Sequence, residues 1–241
     1  MMNVVLAKTV TTIGSALAEK FTGSVIQRWT RHRAECFLES FANAVEVELS
    51  SGKNLHEVDV LLDAMLADEV KSAVLFDAYR RVCFTQSKTL GPRILGLLTG
   101  RLILQGRMAS EEEERIFESA ESLSDGEFMK FLQVYQEYFA KAEVVTDQTK
   151  PIHIHDGAVI VRWSQTDMDS HSRIEFSSFK WREVLGSWAV KLNRCGLLTE
   201  RSQQESDIYA GSHGIRFVTD VIFEKPCDDL CRLLIRSRGS E

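Results

Sequence analysis

Along the first 145 residues, apolar side chains return every three or four positions, the period of a helix with one buried face. Val10, Ile13, Leu17, Phe21, Val25 and Trp29 form one stripe, although the β-branched run "VVLAKTVTTI" leaves its start open. Cys36 or Phe37, Phe41, Val45 and Leu49 form a second, closed at "SSG", where Gly52 can take the left-handed conformation. Asn54 with Glu57 has the form of a reciprocal cap ahead of Val58, Leu61, Leu62, Met65 and Leu66. The segment "VKSAVLFDAYRRVCF" offers Val70, Val74, Leu75, Ala78, Val82 and Cys83 at helical spacing. Pro92 suits the first turn of "PRILGLLTGRLILQG", where a missing N–H is harmless. Ser110 with Glu113, and Ser124 with Glu127, are capping-box pairs ahead of Ile116/Phe117 and Phe128/Phe131. The pattern predicts six or seven helices with short connections, a helical bundle over 1–145.

The periodicity changes near residue 146. The polar stretch "EVVTDQTKP" reads as a boundary ending at Pro151. "IHIHDGAVIVRW" places two short apolar runs around Asp156-Gly157, a hairpin over 152–163 because both turn positions favour positive φ. "FSSFKWREVLGSWAVKLNR" returns to helical spacing, with Phe179, Val184, Trp188 and Leu192 aligned. Cys195-Gly196, the apolar "LLT", the polar "RSQQES", "DIYA" and "SHGIRFVTDVIF" follow. In a winged-helix reading these are a helix stop, a first strand, a wing tip, a second strand and a closing helix or further strand. The expected fold class is therefore mainly α: a bundle over 1–145 and a small α/β, winged-helix-like module over 151–241.

Charge narrows the candidate partners. The chain of 241 residues carries a net charge of −6, which opposes the counterion release that drives non-specific nucleic-acid binding. The 151–241 module holds 12 Lys and Arg against 13 Asp and Glu, so it is not basic as a whole. Its cations Lys180, Arg182, Lys191, Arg194 and Arg201 nevertheless sit where a DNA-reading helix and wing would carry phosphate contacts. They define the first alternative function, a DNA-binding regulator. Five cysteines at scattered positions do not form a disulfide framework, which favours a reducing, cytoplasmic setting. No apolar run approaches the ~18 residues of a transmembrane helix. The N-terminus lacks a secretory pattern, while its late first acidic residue, Glu19, also fits an amphipathic surface helix or transit peptide.

The remaining candidates each have a chemical and a structural reading. His153 and His155 alternate along one strand face and, with His171, define a second alternative, a metal-dependent enzyme. The competing reading is a polar hairpin face. Cys227 and Cys231 lie one helical turn apart without a matching second pair, as packing thiols do. "SEEEER" at 110–115 fits the positive end of a helix dipole better than an acidic catalytic cluster. Gly96 and Gly100 in "GLLTG" allow close helix approach but lack the Gly-Lys-Ser/Thr ending of a phosphate loop. Phe128, Phe131, Tyr135, Tyr138 and Phe139 form the most apolar helical face, either core or a partner-binding groove. No nucleophile-elbow motif frames any serine.

"LNRCGLLTE" followed by "SHGIRFV" resembles the C-terminal part of bacterial abortive-infection proteins of the alpha type, over some 60 residues. The resemblance implies a helical N-terminal region before a helix–glycine–strand–strand–helix end, and a role in phage defence or bacterial stress. It supplies no catalytic residue. The preferred expectation is a non-enzymatic protein, without a cofactor or a membrane span, that binds another protein. Self-association and DNA binding stand behind it.

Overall fold

The computed structural model describes residues 31–49, 67–144, 152–167, 181–207 and 214–239. The Val10–Trp29 stripe, Gly52, the capped 54–66 stretch, Lys180 and His171 lie outside the described residues. The chain is mainly helical, with a small, largely antiparallel sheet in its C-terminal part. No helix among the described residues is long and apolar enough to cross a membrane.

Helices α1 (Arg31–Leu49), α2 (Glu69–Phe84), α3 (Leu90–Gln105) and α4 (Glu111–Ser122) are followed by α5 (Asp125–Lys141). Helix α3 is buried around nearly its whole circumference, from Leu90 to Ile103, as befits its almost uncharged sequence. Gly96 and Gly100 explain how α1 reaches it. A Cβ at 96 would stand 2.3 Å from the Phe37 carbonyl oxygen, and one at 100 would stand 2.7 Å from Ala44 Cβ. Phe37 and Phe41 of α1 line this approach, and Ile94, Leu95, Leu98 and Leu102 on the rest of α3 are fully buried as well.

Local signals set the helix ends. Asp68 caps α2 by accepting from the N–H groups of Val70 and Lys71. Ser110 and Glu113 complete a reciprocal capping box at α4, whose four first-turn glutamates face the positive end of the dipole. Ser124 and Glu127 do the same at α5. The start of α3 is held differently, by Asp125. Its carboxylate accepts from the Ser87 hydroxyl at 2.5 Å and from the N–H groups of Leu90, Lys88 and Thr89 at 2.8, 3.0 and 3.3 Å.

The sheet comprises β1 (Glu143–Val144), β2 (Ile152–His155), β3 (Ala158–Asp167), β4 (Leu198–Asp207) and β5 (Gly214–Phe223), in the order β1-β2-β3-β5-β4. Only the β1–β2 pair is parallel. Asp156 and Gly157, at φ 49 and 80, form the expected hairpin turn, and β3 continues beyond 163. Between β3 and β4 lie α6 (Trp181–Leu185) and α7 (Ser187–Arg194), and α8 (Pro226–Arg238) ends the described chain.

The expected order of helix, Gly196, strand, strand and helix is present, with two corrections. The helix expected over 181–194 breaks at Gly186, whose φ of 90 and ψ of −167 only glycine adopts readily. Val184 consequently leaves the stripe of Trp188 and Leu192 and is exposed. "RSQQES" is not a wing tip; it lies within the ten-residue strand β4. "GIRFVTDVIF" takes the second of its two expected forms, strand β5.

The chain forms two compact units, Met1–Phe128 with Arg232–Glu241, and Met129–Cys231. These limits differ from a division at 146–150. The reason lies in α5, whose later turns carry aromatic side chains that pack on residues following the hairpin, as described below.

Candidate functional site

Among the described residues, helix α2 carries the clearest exposed apolar surface. Its inner face buries Val74, Leu75, Ala78, Tyr79 and Val82. Arg81 pins it to α4, donating to Glu114 at 2.7 Å and Glu121 at 3.0 Å with its guanidinium over the Phe117 ring. Asp77 accepts from both Arg81 and Arg80 at 2.7 Å, which keeps the Arg80 side chain along the helix. Burial opposes ionisation of Asp77, but the bonds and charges of Arg81 and Arg80 outweigh it and lower its pKa. With the inner face fixed, positions 70, 73, 76, 80 and 84 point outward within one third of a turn. Val70, Phe76 and Phe84 on this arc are 45%, 57% and 70% exposed.

Of the two readings of the aromatic face of α5, core or partner-binding groove, the structure has core. Phe128, Phe131 and Tyr135 are buried. The Phe131 ring lies 5.9 Å from Trp188 and 5.6 Å from Tyr135, while Tyr135 and Tyr138 each lie 5.8 Å from Phe223. These rings prefer one another and the sheet to water, so this face is core. Only Phe139, at its end, remains exposed.

The cations of the DNA-binding alternative are divided by strand parity. Arg201 pairs in register with Asp220, and Trp188 of α7 packs near Phe223, three residues further along β5. Successive strand residues alternate faces, so Arg201 shares the Asp220 face, opposite the one that receives Trp188. Arg182 is held over the Trp181 ring and 3.7 Å from Glu200, on the Trp188 side. Lys191 and Arg194 lie on α7 in the last turn before Gly196, where their charge complements the helix dipole. Arg201 therefore lies on the sheet face opposite Arg182.

His153 and His155 occupy alternate positions of β2, as their spacing predicts, but in unlike surroundings. His153 is buried, whereas His155 is exposed with Nε2 3.4 Å from Asp156. Among the described residues no three His, Cys, Asp or Glu side chains come together as a metal site. Cys227 is buried and donates to the Leu197 carbonyl at 3.1 Å; burial pushes its thiol well above the usual range. Burial also raises the Cys36 thiol, beside His32 at 3.6 Å.

The sequence reading missed Phe76 and Phe84. Their signal was available: both fall outside the Val74, Leu75, Ala78 and Val82 stripe. No family model, curated protein or solved structure matches the chain.

Proposed function

We propose that the chain is a non-enzymatic binding protein whose contact surface for another protein is the outward arc of α2. The observation that carries this reading is the exposure of Phe76 and Phe84 on a helix whose opposite face is rigidly held. Burying a phenylalanine side chain contributes about 1.5–3 kcal/mol, so two such anchors suit the centre of an interface. Arg80 and Asp77 between them provide a polar component that orients a partner. The fitting partner presents an apolar groove with charged margins. Phage defence or a related bacterial stress response is the proposed setting, resting on the C-terminal resemblance.

A photo-crosslinking residue at position 76 tests this, with the exposed position 133 of α5 as control. In the native cells, one discrete adduct is expected at 76, absent at 133 and lost when Phe84→Ser is added. Adducts in equal yield at both positions, or none at 76, would overturn the reading. Phe84→Ser should leave stability within about 0.5 kcal/mol, since the ring is exposed in the free protein.

A further inference from the structure

The sheet offers a second surface, independent of α2. Strand β4 stands at its edge, pairing only with β5 among the described residues, and its register runs unbroken from Leu198 to Asp207 without a bulge or proline. A long, regular edge is a template for another strand, and proteins usually blunt or cover one. Residues Glu200 to Gln203 are all exposed.

Two hydrogen bonds establish which backbone groups face outward. The Leu197 carbonyl accepts from Glu224 N–H at 3.0 Å, so odd-numbered residues of β4 bond to β5. The Leu198 carbonyl instead accepts from Asn193 Nδ2 at 2.9 Å, on the outer side. By alternation, the N–H and C=O groups of Glu200, Ser202, Gln204 and Ser206 point to the open edge.

We propose that β4 pairs antiparallel with β4 of a second copy, on a two-fold axis at Gln203, joining the two sheets. Hydrogen-bonding parity restricts the register, because only even-numbered residues can bond across the axis. Centring on Gln203 pairs Glu200 with Ser206 and Ser202 with Gln204 as hydrogen-bonded positions. It also sets Arg201 opposite Glu205 twice, at the non-hydrogen-bonded positions where side chains come closest. Shifting the axis to Ser202 sets Arg201 opposite Gln203. Shifting it to Gln204 sets Arg201 opposite Asp207 but shortens the overlap. The Gln203 register therefore combines charge complementarity with the longer ladder. Both oxygens of Asp220, the β5 neighbour of Arg201, are engaged by Arg162. An isologous contact of this kind closes as a dimer instead of extending.

Sedimentation equilibrium of the full chain from about 1 to 200 μM, in low and high salt, tests the proposal. A reversible, salt-sensitive monomer–dimer equilibrium is expected. R201E alone and E205R alone place like charges opposite one another and should weaken dimerisation at least about tenfold. The R201E/E205R double variant restores opposite charges and should recover the dimer. Ser202→Pro removes an outward N–H that β5 does not use and should abolish pairing, with far-UV circular dichroism reporting whether the fold is kept. A chain monomeric at every concentration overturns the proposal, as does a dimer indifferent to both single charge changes or not restored by the double. These outcomes are separate from crosslinking at Phe76, so either surface can fail alone.

Discussion

Replacing Asp125 by Asn tests whether a side chain from the start of α5 holds the start of α3. The carboxylate accepts four hydrogen bonds, from the Ser87 hydroxyl and three consecutive N–H groups, Lys88 to Leu90. Asn keeps one acceptor oxygen for Ser87, Thr89 and Leu90 but turns an NH2 group toward the Lys88 N–H. One charge-assisted bond of about 1.5–3 kcal/mol is lost. So is the attraction of a negative charge to two helix N-termini, each about 0.3–1 kcal/mol before solvent screening. The site is part-buried, so water replaces some of this, and the expected loss is about 2 kcal/mol. Asp125→Ala removes every acceptor and should cost about 3 kcal/mol.

The pH dependence separates charge from packing. Burial opposes ionisation of Asp125, yet the Ser87 hydroxyl and the N–H groups of Leu90, Lys88 and Thr89 outweigh it, and the folded pKa falls below its usual 3.8. A depressed folded pKa means that the unfolded chain binds the proton more tightly. The stabilisation is therefore complete above the unfolded value, about 4, and fades as pH falls through the folded one. Urea unfolding at pH 7 should show the full gap between wild type and Asp125→Asn, and unfolding near pH 3 a smaller one. A gap below about 0.5 kcal/mol at pH 7, or one that does not shrink in acid, would refute Asp125 as a charged cap.

Other substitutions test other contacts, each by urea or thermal unfolding. Gly96→Ala places a Cβ 2.3 Å from the Phe37 carbonyl and should cost about 3 kcal/mol, whereas Gly126→Ala, with nothing within 4 Å, should gain about 0.5–1 kcal/mol from helix propensity. Arg162→Leu leaves the carboxylate of Asp220 buried without its bidentate partner and should cost about 3–5 kcal/mol; adding Asp220→Leu should recover much of that. Glu113 is opposed by burial but held by Arg107, the Ser110 N–H and Arg101, lowering its pKa from 4.5 to about 2. Glu113→Gln should accordingly cost about 2 kcal/mol at pH 7, with the gap closing as pH falls from 4.5 towards 2.

What the sequence made legible was local. The capping boxes at Ser110 and Ser124, the Asp156-Gly157 turn and the close-approach glycines of α3 each need only a few neighbouring residues. Asp125 was not legible as a cap because its acceptor role depends on the distant segment 87–90. Gly186 lies between two halves of a continuous apolar period, so nothing nearby marks the break that turns Val184 outward. The polarity of "RSQQES" suggested a tip, yet Glu200 to Gln203 are exposed on both faces of the edge strand, and such a strand needs no apolar alternation. Strand parity then decides where its side chains go, and it separates Arg201 from Arg182.

The same physics explains why the expected partner surface and the one proposed are different. An aromatic stripe in helical phase, as on α5, has the most to gain from burial, and folding covers it with Trp188 and Phe223. Phe76 and Phe84 lie away from the Val74, Ala78 and Val82 stripe, and packing that stripe necessarily directs them outward. Strong periodicity therefore locates the core, while large apolar residues out of phase with it locate surface left for a second molecule. Aromatic content alone ranks α5 above α2; phase reverses the order. Crosslinking at position 76 measures which ranking governs binding.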